Sequence, residues 1–316
     1  MKSAFRPAFC VLRPAPIALL LCAGLAFGAW AAEGDFAGSG TKGGQATIAV
    51  SGTHLSNFNP LRASDTQVRR VLRHTWGTLT RPDEKGAVLP GLATAWKSAD
   101  SKTWTFTLRP CKWSDGKTDV TAKDVAFTID EIVHAPSFGT YGLASCLGRG
   151  KAGAVCKVID PKTVEIALPV PQPDFPALAA EIPILPEHVL GQVQKVNGLY
   201  TAWDVEAAEK RNNPLTAIVT AGPYRIKEYV RPTDGSPNRL VLSANPHYWR
   251  AGGGGKLPFL EEVTFLLAED EVVAAKLAAG DKGQKADVVE DLTPALRRAL
   301  GTVAGGRLTD GELLKK

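Results

Sequence analysis

The sequence predicts an α/β fold, and two neighbouring patterns favour this class. Residues 103–108 alternate apolar and threonine side chains, which is the period of a strand that buries one face. After a turn at residues 114–117, residues 121–132 carry apolar side chains at the spacing of one helix face. A strand, a turn and a helix in immediate succession form a typical unit of an α/β protein.

The turn and the helix of this unit have local sequence signals of their own. Asp115-Gly116 marks the turn, because glycine adopts positive φ angles without strain. Thr121, followed three residues later by Asp124, is a variant of the capping box that begins a helix. The residues expected to pack in the core of this region are Trp104, Phe106, Leu108, Trp113 and Phe127.

The rest of the chain predicts further strands and helices. Alternating or β-rich runs predict strands at residues 46–52, 162–168, 238–245 and 261–267. Helical patterns predict helices at residues 66–79, 186–194 and 269–281. Proline-rich and glycine-rich segments at residues 169–176 and 251–259 are predicted connections, because neither composition sustains a sheet or a helix.

Residues 1–31 are predicted to be a secretory signal peptide. Basic residues precede an apolar run at residues 15–29, which is short for a membrane span, and Ala29-Trp30-Ala31 matches a cleavage site. An uncleaved anchor is the alternative. Removing this segment, with its three basic and no acidic residues, lowers the formal charge from +5 to +2. So small a charge does not favour binding to nucleic acid.

Three of the five cysteines lie after the predicted cleavage near Ala31. In an oxidising compartment Cys146 and Cys156, at the two ends of a short glycine-containing loop, are expected to form a disulfide that leaves Cys111 unpaired. The sequence leaves the two other pairings open.

The chain lacks the sequence signals of common catalytic and cofactor sites. It contains no G-x-S-x-G and no H-E-x-x-H motif, and its five histidines are scattered. A G-x-G-x-x-G pattern at Gly38, Gly40 and Gly43 precedes the first predicted strand, whereas a dinucleotide site needs it after a strand. We therefore expect a binding protein rather than an enzyme, with no metal and no cofactor.

Several motifs occur in order along most of the chain. In residues 89–132, called here the signature segment, they are Gly91-Leu92-Ala93, Ala95-Trp96, Leu108-Arg109, Lys112-Trp113, Asp115-Gly116 and Thr121-Ala122-Lys123-Asp124-Val125. Outside it they are Phe58-Asn59-Pro60, Gly222-Pro223-Tyr224, Asn245-Pro246-His247-Tyr248-Trp249, Leu277-Ala278-Ala279-Gly280 and Ala286-Asp287-Val288. This series resembles the family 5 extracellular solute-binding proteins, the oligopeptide and dipeptide receptors of ATP-binding-cassette (ABC) importers. Cys111 and Ser101-Lys102 depart from the family pattern at turns.

The resemblance implies a periplasmic-binding-protein-like fold of the class II, three-lobed peptide-binder type. Lobe I is expected at residues 32–75 and 169–267, and lobe II at residues 76–168. The chain ends at Lys316, earlier than the family pattern, so the resemblance implies a C-terminally truncated fragment with an incomplete lobe III at residues 268–316. A cleft between lobes I and III is expected to close on the ligand by a hinge motion.

The resemblance also implies a function and a binding site. The expected function is the periplasmic solute-binding component of an ABC transporter, a monomer that delivers a peptide or another small solute to the inner-membrane permease. The family also includes binders of nickel chelates, haem, opines and oligosaccharides. The expected ligand contacts are Thr53, His54 and Leu55 from lobe I and Tyr141 from lobe II, unless these are ordinary surface loops.

Two further functions remain open at this point. One is a truncated family member without a competent cleft, from an interrupted gene or an incomplete sequence. The other is an exported hydrolase of unrelated fold, which the ordered motifs and the missing catalytic signals disfavour. The signature segment itself is expected to identify the family through its structure rather than to mark a binding site.

Overall fold

The structure is a computed structural model of the 316-residue chain. It describes residues 42–51, 55, 58–60, 66–83, 85–134, 146–192, 218–233, 237–252, 255–268 and 286–289. All of them belong to one compact unit that spans Gly34–Lys316. The predicted helix at residues 269–281 lies outside the described residues.

A five-stranded mixed sheet contains both the first and the last described strands. Its members are β1 (Gln45–Ser51), β8 (Tyr224–Val230), β9 (Asn238–Ala244), β12 (Glu262–Ala268) and β13 (Val288–Val289). Their spatial order is β13-β1-β12-β9-β8. β1 runs parallel to both of its neighbours, whereas β12, β9 and β8 pair antiparallel.

A second sheet has four antiparallel strands. These are β4 (Ala93–Lys97), β5 (Thr103–Leu108), β6 (Val155–Asp160) and β7 (Thr163–Ala167), in the spatial order β4-β5-β7-β6. Helix α2 (Ala122–His134) packs against β6 and β7. The remaining elements are α1 (Thr66–Leu72), β2 (Thr80–Pro82), β3 (Val88–Pro90), α3 (Phe175–Leu178), α4 (Glu187–Leu190), β10 (Ala251–Gly252) and β11 (Gly255–Lys256).

The predicted strand, turn and helix of the signature segment are confirmed. The backbone N–H of Thr121 donates to the Asp124 carboxylate at 2.7 Å, which is the reciprocal half of a capping box. The Asp115 carboxylate accepts from the backbone N–H of Lys117 at 2.9 Å, and Gly116 has a φ of +70°. The expected packing residues Trp104, Phe106, Leu108 and Trp113 are buried, and Phe127 is partly buried against the same core.

Several elements differ from the sequence predictions. The helix predicted at residues 186–194 spans only Glu187–Leu190, and strands β4 and β8 were not predicted. The helix predicted over residues 66–79 ends at Leu72, because the backbone beyond it bonds elsewhere: the carbonyls of His74 and Thr75 accept from Tyr224 and Gly222. Strand β6 was not predicted, because it lies at a sheet edge and lacks a regular apolar alternation.

Candidate functional site

The signature segment and the Gly-Pro-Tyr and Asn-Pro-x-Tyr-Trp motifs meet at one place, although they are far apart in sequence. Ser114, in the turn of the signature segment, exchanges two hydrogen bonds with Thr220. The Ser114 N–H donates to the Thr220 carbonyl at 2.8 Å, and the Thr220 N–H donates to the Ser114 Oγ at 3.0 Å. Both residues are buried, so these bonds join the turn firmly to the segment that precedes β8.

Asn245 joins the Gly-Pro-Tyr motif to the Asn-Pro-x-Tyr-Trp motif. Its side-chain amide donates to the Gly222 carbonyl at 2.8 Å, and its Oδ1 accepts from the backbone N–H of His247 at 2.9 Å. Gly222 itself packs so closely on Thr75 that a Cβ would lie 2.4 Å from the Thr75 carbonyl. Only glycine therefore fits at this crossing of two backbone segments.

Arg109 and Gly116 of the signature segment contact the same Asn-Pro-x-Tyr-Trp motif. The Arg109 guanidinium lies 3.6 Å from the centre of the Trp249 ring, and its Nε donates to the Gly91 carbonyl at 2.7 Å. A Cβ on Gly116 would lie 2.4 Å from Nε2 of His247. We call Arg109 and residues 113–116, 220–223 and 245–249 the motif junction.

A half-buried histidine and two carboxylates lie beneath the turn of the motif junction. His188 Nε2 is 3.4 Å from Asp115 Oδ2, and the imidazole faces the Trp113 ring. Burial raises the pKa of Asp124, although the backbone N–H groups of Thr121 and Glu187 donate to its carboxylate and partly offset that effect. This arrangement fastens α4 to α2.

The carboxyl ends of the three parallel strands lie together at one edge of the five-stranded sheet. Ser51 at the end of β1 pairs in register with Ala268 at the end of β12, and Ala49 pairs with Val289 at the end of β13. In open α/β sheets this edge is where ligands bind, because the loops that leave the strands form a crevice there. We take this edge, called the parallel-strand edge, as the candidate ligand site.

Asp287, which directly precedes β13, joins that strand to Thr47 of β1. Its carboxylate accepts from the backbone N–H of Thr47 at 2.8 Å, and its own N–H donates to the Thr47 carbonyl at 2.7 Å. The Ala-Asp-Val motif therefore fixes β13 against β1, and with it the alignment of the parallel-strand edge.

Of the four predicted ligand contacts, the structure describes only Leu55. Its side chain is 2% exposed and belongs to the core, and its backbone N–H donates to the Tyr229 hydroxyl at 2.8 Å. The Phe58 ring makes an edge contact with Tyr229, with 5.6 Å between ring centres. Leu55 thus anchors the loop that leaves β1 rather than presenting its side chain to a ligand. Thr53, His54 and Tyr141 lie outside the described residues.

The predicted disulfide between Cys146 and Cys156 is not formed in the structure. Cys111, Cys146 and Cys156 form no disulfide, and each packs into or against the apolar core. Burial raises the pKa of Cys111 to about 11 and that of Cys156 to about 12, and it also raises the pKa of Cys146. Protonated thiols in these places behave as small apolar side chains.

A cavity of about 370 Å³, which the sequence did not predict, lies beside the motif junction. Gly222, Pro223, Tyr248 and Trp249 form one of its walls. The other lining residues include Pro60, Arg69, Arg73, Trp76, Arg81 and Glu181. Its volume is in the range of small-molecule sites.

The described residues hold neither a metal-binding cluster nor a membrane-spanning helix. No group of three or more histidine, cysteine or acidic side chains there is arranged to hold a metal ion. No helix in those same ranges is long and apolar enough to cross a bilayer.

Comparison with known proteins identifies the chain's relatives. Residues 87–300, about two thirds of the chain, match the model of the bacterial extracellular solute-binding proteins, family 5 Middle. The chain is 31% identical over 240 residues to the periplasmic murein peptide-binding protein MppA of Escherichia coli. It is 28% identical over 244 residues to the periplasmic oligopeptide-binding protein OppA of Salmonella typhimurium. Each alignment covers 72% of this chain and 40% of the relative, so the chain spans well under half of their length.

Solved structures agree with this assignment. The structure of the Escherichia coli murein tripeptide binding protein MppA superimposes with a TM-score of 0.61 and 26% identity, over 84% of this chain and 49% of that one. The α/β, periplasmic-binding-protein-like fold predicted from the sequence is therefore confirmed.

Proposed function

Because the chain belongs to the bacterial extracellular solute-binding proteins of family 5, we propose that it captures a peptide or peptide-like solute for an ABC importer. The observation that carries the proposal is the match of residues 87–300 to the family model. The relatives named above are described as binding oligopeptides and murein peptide, which favours a peptide over the family's other ligand classes. In this proposal the protein is a receptor and not an enzyme.

The proposal places the protein in the periplasm as a monomer that delivers its solute to an inner-membrane permease. The signal pattern of residues 1–31, with cleavage near Ala31, supports export. The two relatives are both described as periplasmic.

We propose that the solute binds at the parallel-strand edge, in contact with the loop that leaves β1. A receptor that tolerates many side chains must bind the main chain, which all peptides share, and strand-like pairing does this economically. Thr53 and His54 precede the anchored Leu55 in sequence, so they are the proposed contacts from lobe I, and Tyr141 is the proposed contact from lobe II.

The lobe boundaries remain part of the proposal. The five-stranded sheet takes its strands from residues 45–51 and 224–289, and the four-stranded sheet takes its strands from residues 93–167. The four-stranded sheet supports lobe II at residues 76–168, and strands β1, β8, β9 and β12 support lobe I at residues 32–75 and 169–267. Lobe III is proposed to begin at residue 268, although β13 joins the sheet of lobe I.

Calorimetric titration of the purified full chain with trialanine tests the proposal, with N-acetyl-trialanine amide as the blocked control. We expect saturable binding of trialanine, which H54A weakens about fivefold, because one lost hydrogen bond is worth about 1 kcal/mol. The matched variant H134A changes an exposed histidine at the end of α2 and is expected to bind normally. Absence of binding to any peptide at millimolar concentration, by a protein that is folded by circular dichroism, would contradict the proposal.

A further inference from the structure

The cavity beside the motif junction carries an excess of positive charge. Among the described residues, three arginines, Arg69, Arg73 and Arg81, line it together with one acidic residue, Glu181. The whole chain has 37 basic and 32 acidic residues, so the local ratio is far from the average. A concave site lined mainly by one sign of charge concentrates ions of the opposite sign.

Two more arginines act on the same wall. Burial raises the pKa of the Tyr248 hydroxyl, while the charges of Arg250, Arg81 and Arg109 lower it, and Arg250 is also hydrogen-bonded to Tyr248. Arg109 stacks on the neighbouring Trp249 ring. Tyr248 and Trp249, which line the cavity, therefore lie close to several positively charged arginine side chains.

The walls of the cavity are fixed by backbone packing. Besides Gly222, the lining residue Gly91 also touches main chain, because a Cβ there would lie 2.5 Å from the Thr78 carbonyl. Gly91 also donates its N–H to the Leu79 carbonyl at 3.1 Å. A cavity held by such contacts is largely formed before any ligand arrives, which lowers the cost of binding.

The lining is also apolar in part. Trp76 is buried, and it faces the cavity together with Leu72 and the rings of Pro60 and Pro223. An inorganic ion alone would leave this surface in contact with water, whereas an organic body would cover it.

We propose that this cavity is a second ligand site, distinct from the parallel-strand edge, and that it binds a small organic anion. The carboxylate or phosphate group of the anion lies toward Arg69, Arg73 and Arg81, and its apolar body lies against Trp76 and the prolines. Carboxylate and phosphate are both matched by the planar donor array of arginine. The site does not require a peptide at the other edge.

Calorimetric titration of the full chain with four probes tests the ligand class. Phenyl phosphate and benzoate combine a ring with an anion, inorganic phosphate lacks the ring, and phenol lacks the charge. We expect one or both aromatic anions to bind at least tenfold more tightly than phosphate or phenol, and the tighter one shows whether the site favours phosphate or carboxylate. Equal binding of inorganic and phenyl phosphate would overturn the organic part of the proposal, and equal binding of phenol would overturn the anionic part.

Charge reversal of Arg73 tests the location. Arg73 is exposed, so R73E is expected to fold normally and to weaken binding of the better aromatic anion at least tenfold. R73K retains the charge, so its affinity for that anion is expected to stay within about threefold of the unchanged protein. The matched control R149E changes an exposed arginine outside the cavity and leaves binding unchanged. Normal anion binding by R73E would refute the assignment.

The two proposed sites are separable in the same experiment. R73E is expected to bind trialanine as the unchanged protein does, and saturating phenyl phosphate is not expected to displace trialanine. Displacement would show that the cavity is part of the solute site, which would overturn the inference while leaving the proposed function intact.

Discussion

Replacing Asn245 by aspartate tests whether the motif junction stabilises the fold. The substitution keeps the size of the side chain and the acceptor for the His247 N–H, but it removes the donor that bonds the Gly222 carbonyl at 2.8 Å. Asn245 is only 2% exposed, so a carboxylate and a carbonyl oxygen would face each other away from water. An orphaned buried polar group costs about 1–3 kcal/mol, and a charged one costs more. We expect N245D to lower the free energy of unfolding by about 3 kcal/mol at pH 7.

The same variant should respond to pH in a defined direction. Burial and the facing carbonyl raise the pKa of the introduced carboxyl above the value of about 3.9 that it has in the unfolded chain. A carboxyl with a raised folded pKa contributes stability below the unfolded pKa, and that contribution is lost as pH rises through the folded pKa. When protonated, it donates to the Gly222 carbonyl as asparagine does. The difference from the unchanged protein is therefore expected to be smallest near pH 4 and largest at pH 7 to 8.

Urea unfolding followed by far-ultraviolet circular dichroism, at a series of pH values, measures this difference. The control is N238D, at the half-buried first position of β9, which is expected to change the free energy of unfolding by less than about 1 kcal/mol at any pH. A loss in N245D that does not vary with pH, or an equal loss in N238D, would refute the assigned role of the Asn245 amide.

Three further predictions concern the described contacts. S114A leaves the buried Thr220 N–H without its acceptor and should cost about 1–3 kcal/mol in urea unfolding. The control S98A, at a half-buried serine whose hydroxyl bonds the exposed Asp100, should cost under about 0.5 kcal/mol, and equal losses would contradict the prediction. The pKa values of Cys111 and Cys156 are raised to about 11 and 12, so both thiols should react slowly at pH 8. An aromatic disulfide reagent should label them at least about 100-fold more slowly in the native protein than in urea, and peptide mass mapping would measure the two labelling rates. G116A should lower thermal stability by about 1–2 kcal/mol, because alanine is strained at a φ of +70°; an unchanged melting temperature would argue against that turn geometry.

The signature segment was predictable because its signals are local. The alternation of β5, the Asp115-Gly116 turn and the Thr121 to Asp124 cap each depend on residues at most a few positions apart. The hydrogen bonds of such local patterns form between nearby residues, and tertiary packing then reinforces the same conformation. The motif series identified the family for the same reason.

Some sequence predictions were wrong where residues distant in sequence determine the local structure. Helix α1 ends at Leu72 because Gly222 and Tyr224, about 150 residues further along, occupy the carbonyls that would follow it. Leu55 was expected at a ligand, yet Tyr229 provides the acceptor for its N–H from 174 residues away. No pattern around either position encodes those partners.

Strand β6 and the cavity were missed for different reasons. β6 exposes Val155, Val158 and Ile159 at a sheet edge, so it shows no buried face from which a period could be recognised. The arginines and aromatic residues of the cavity come from three separate stretches, at residues 69–76, 81 and 248–249, which only the folded chain brings together.

The position of β1 has a consequence for the order in which the chain folds. The four-stranded sheet is complete once residue 167 is available, whereas β1 pairs on both sides with strands that lie more than 200 residues later. Pairings of such high sequence separation form slowly, because a long loop must be closed before any contact is made. A chain delivered from its N-terminus therefore holds β1 unpaired until residues 262–289 arrive. We expect folding to begin at the signature segment, and the waiting strand to be the point at which the newly delivered chain most needs protection from aggregation.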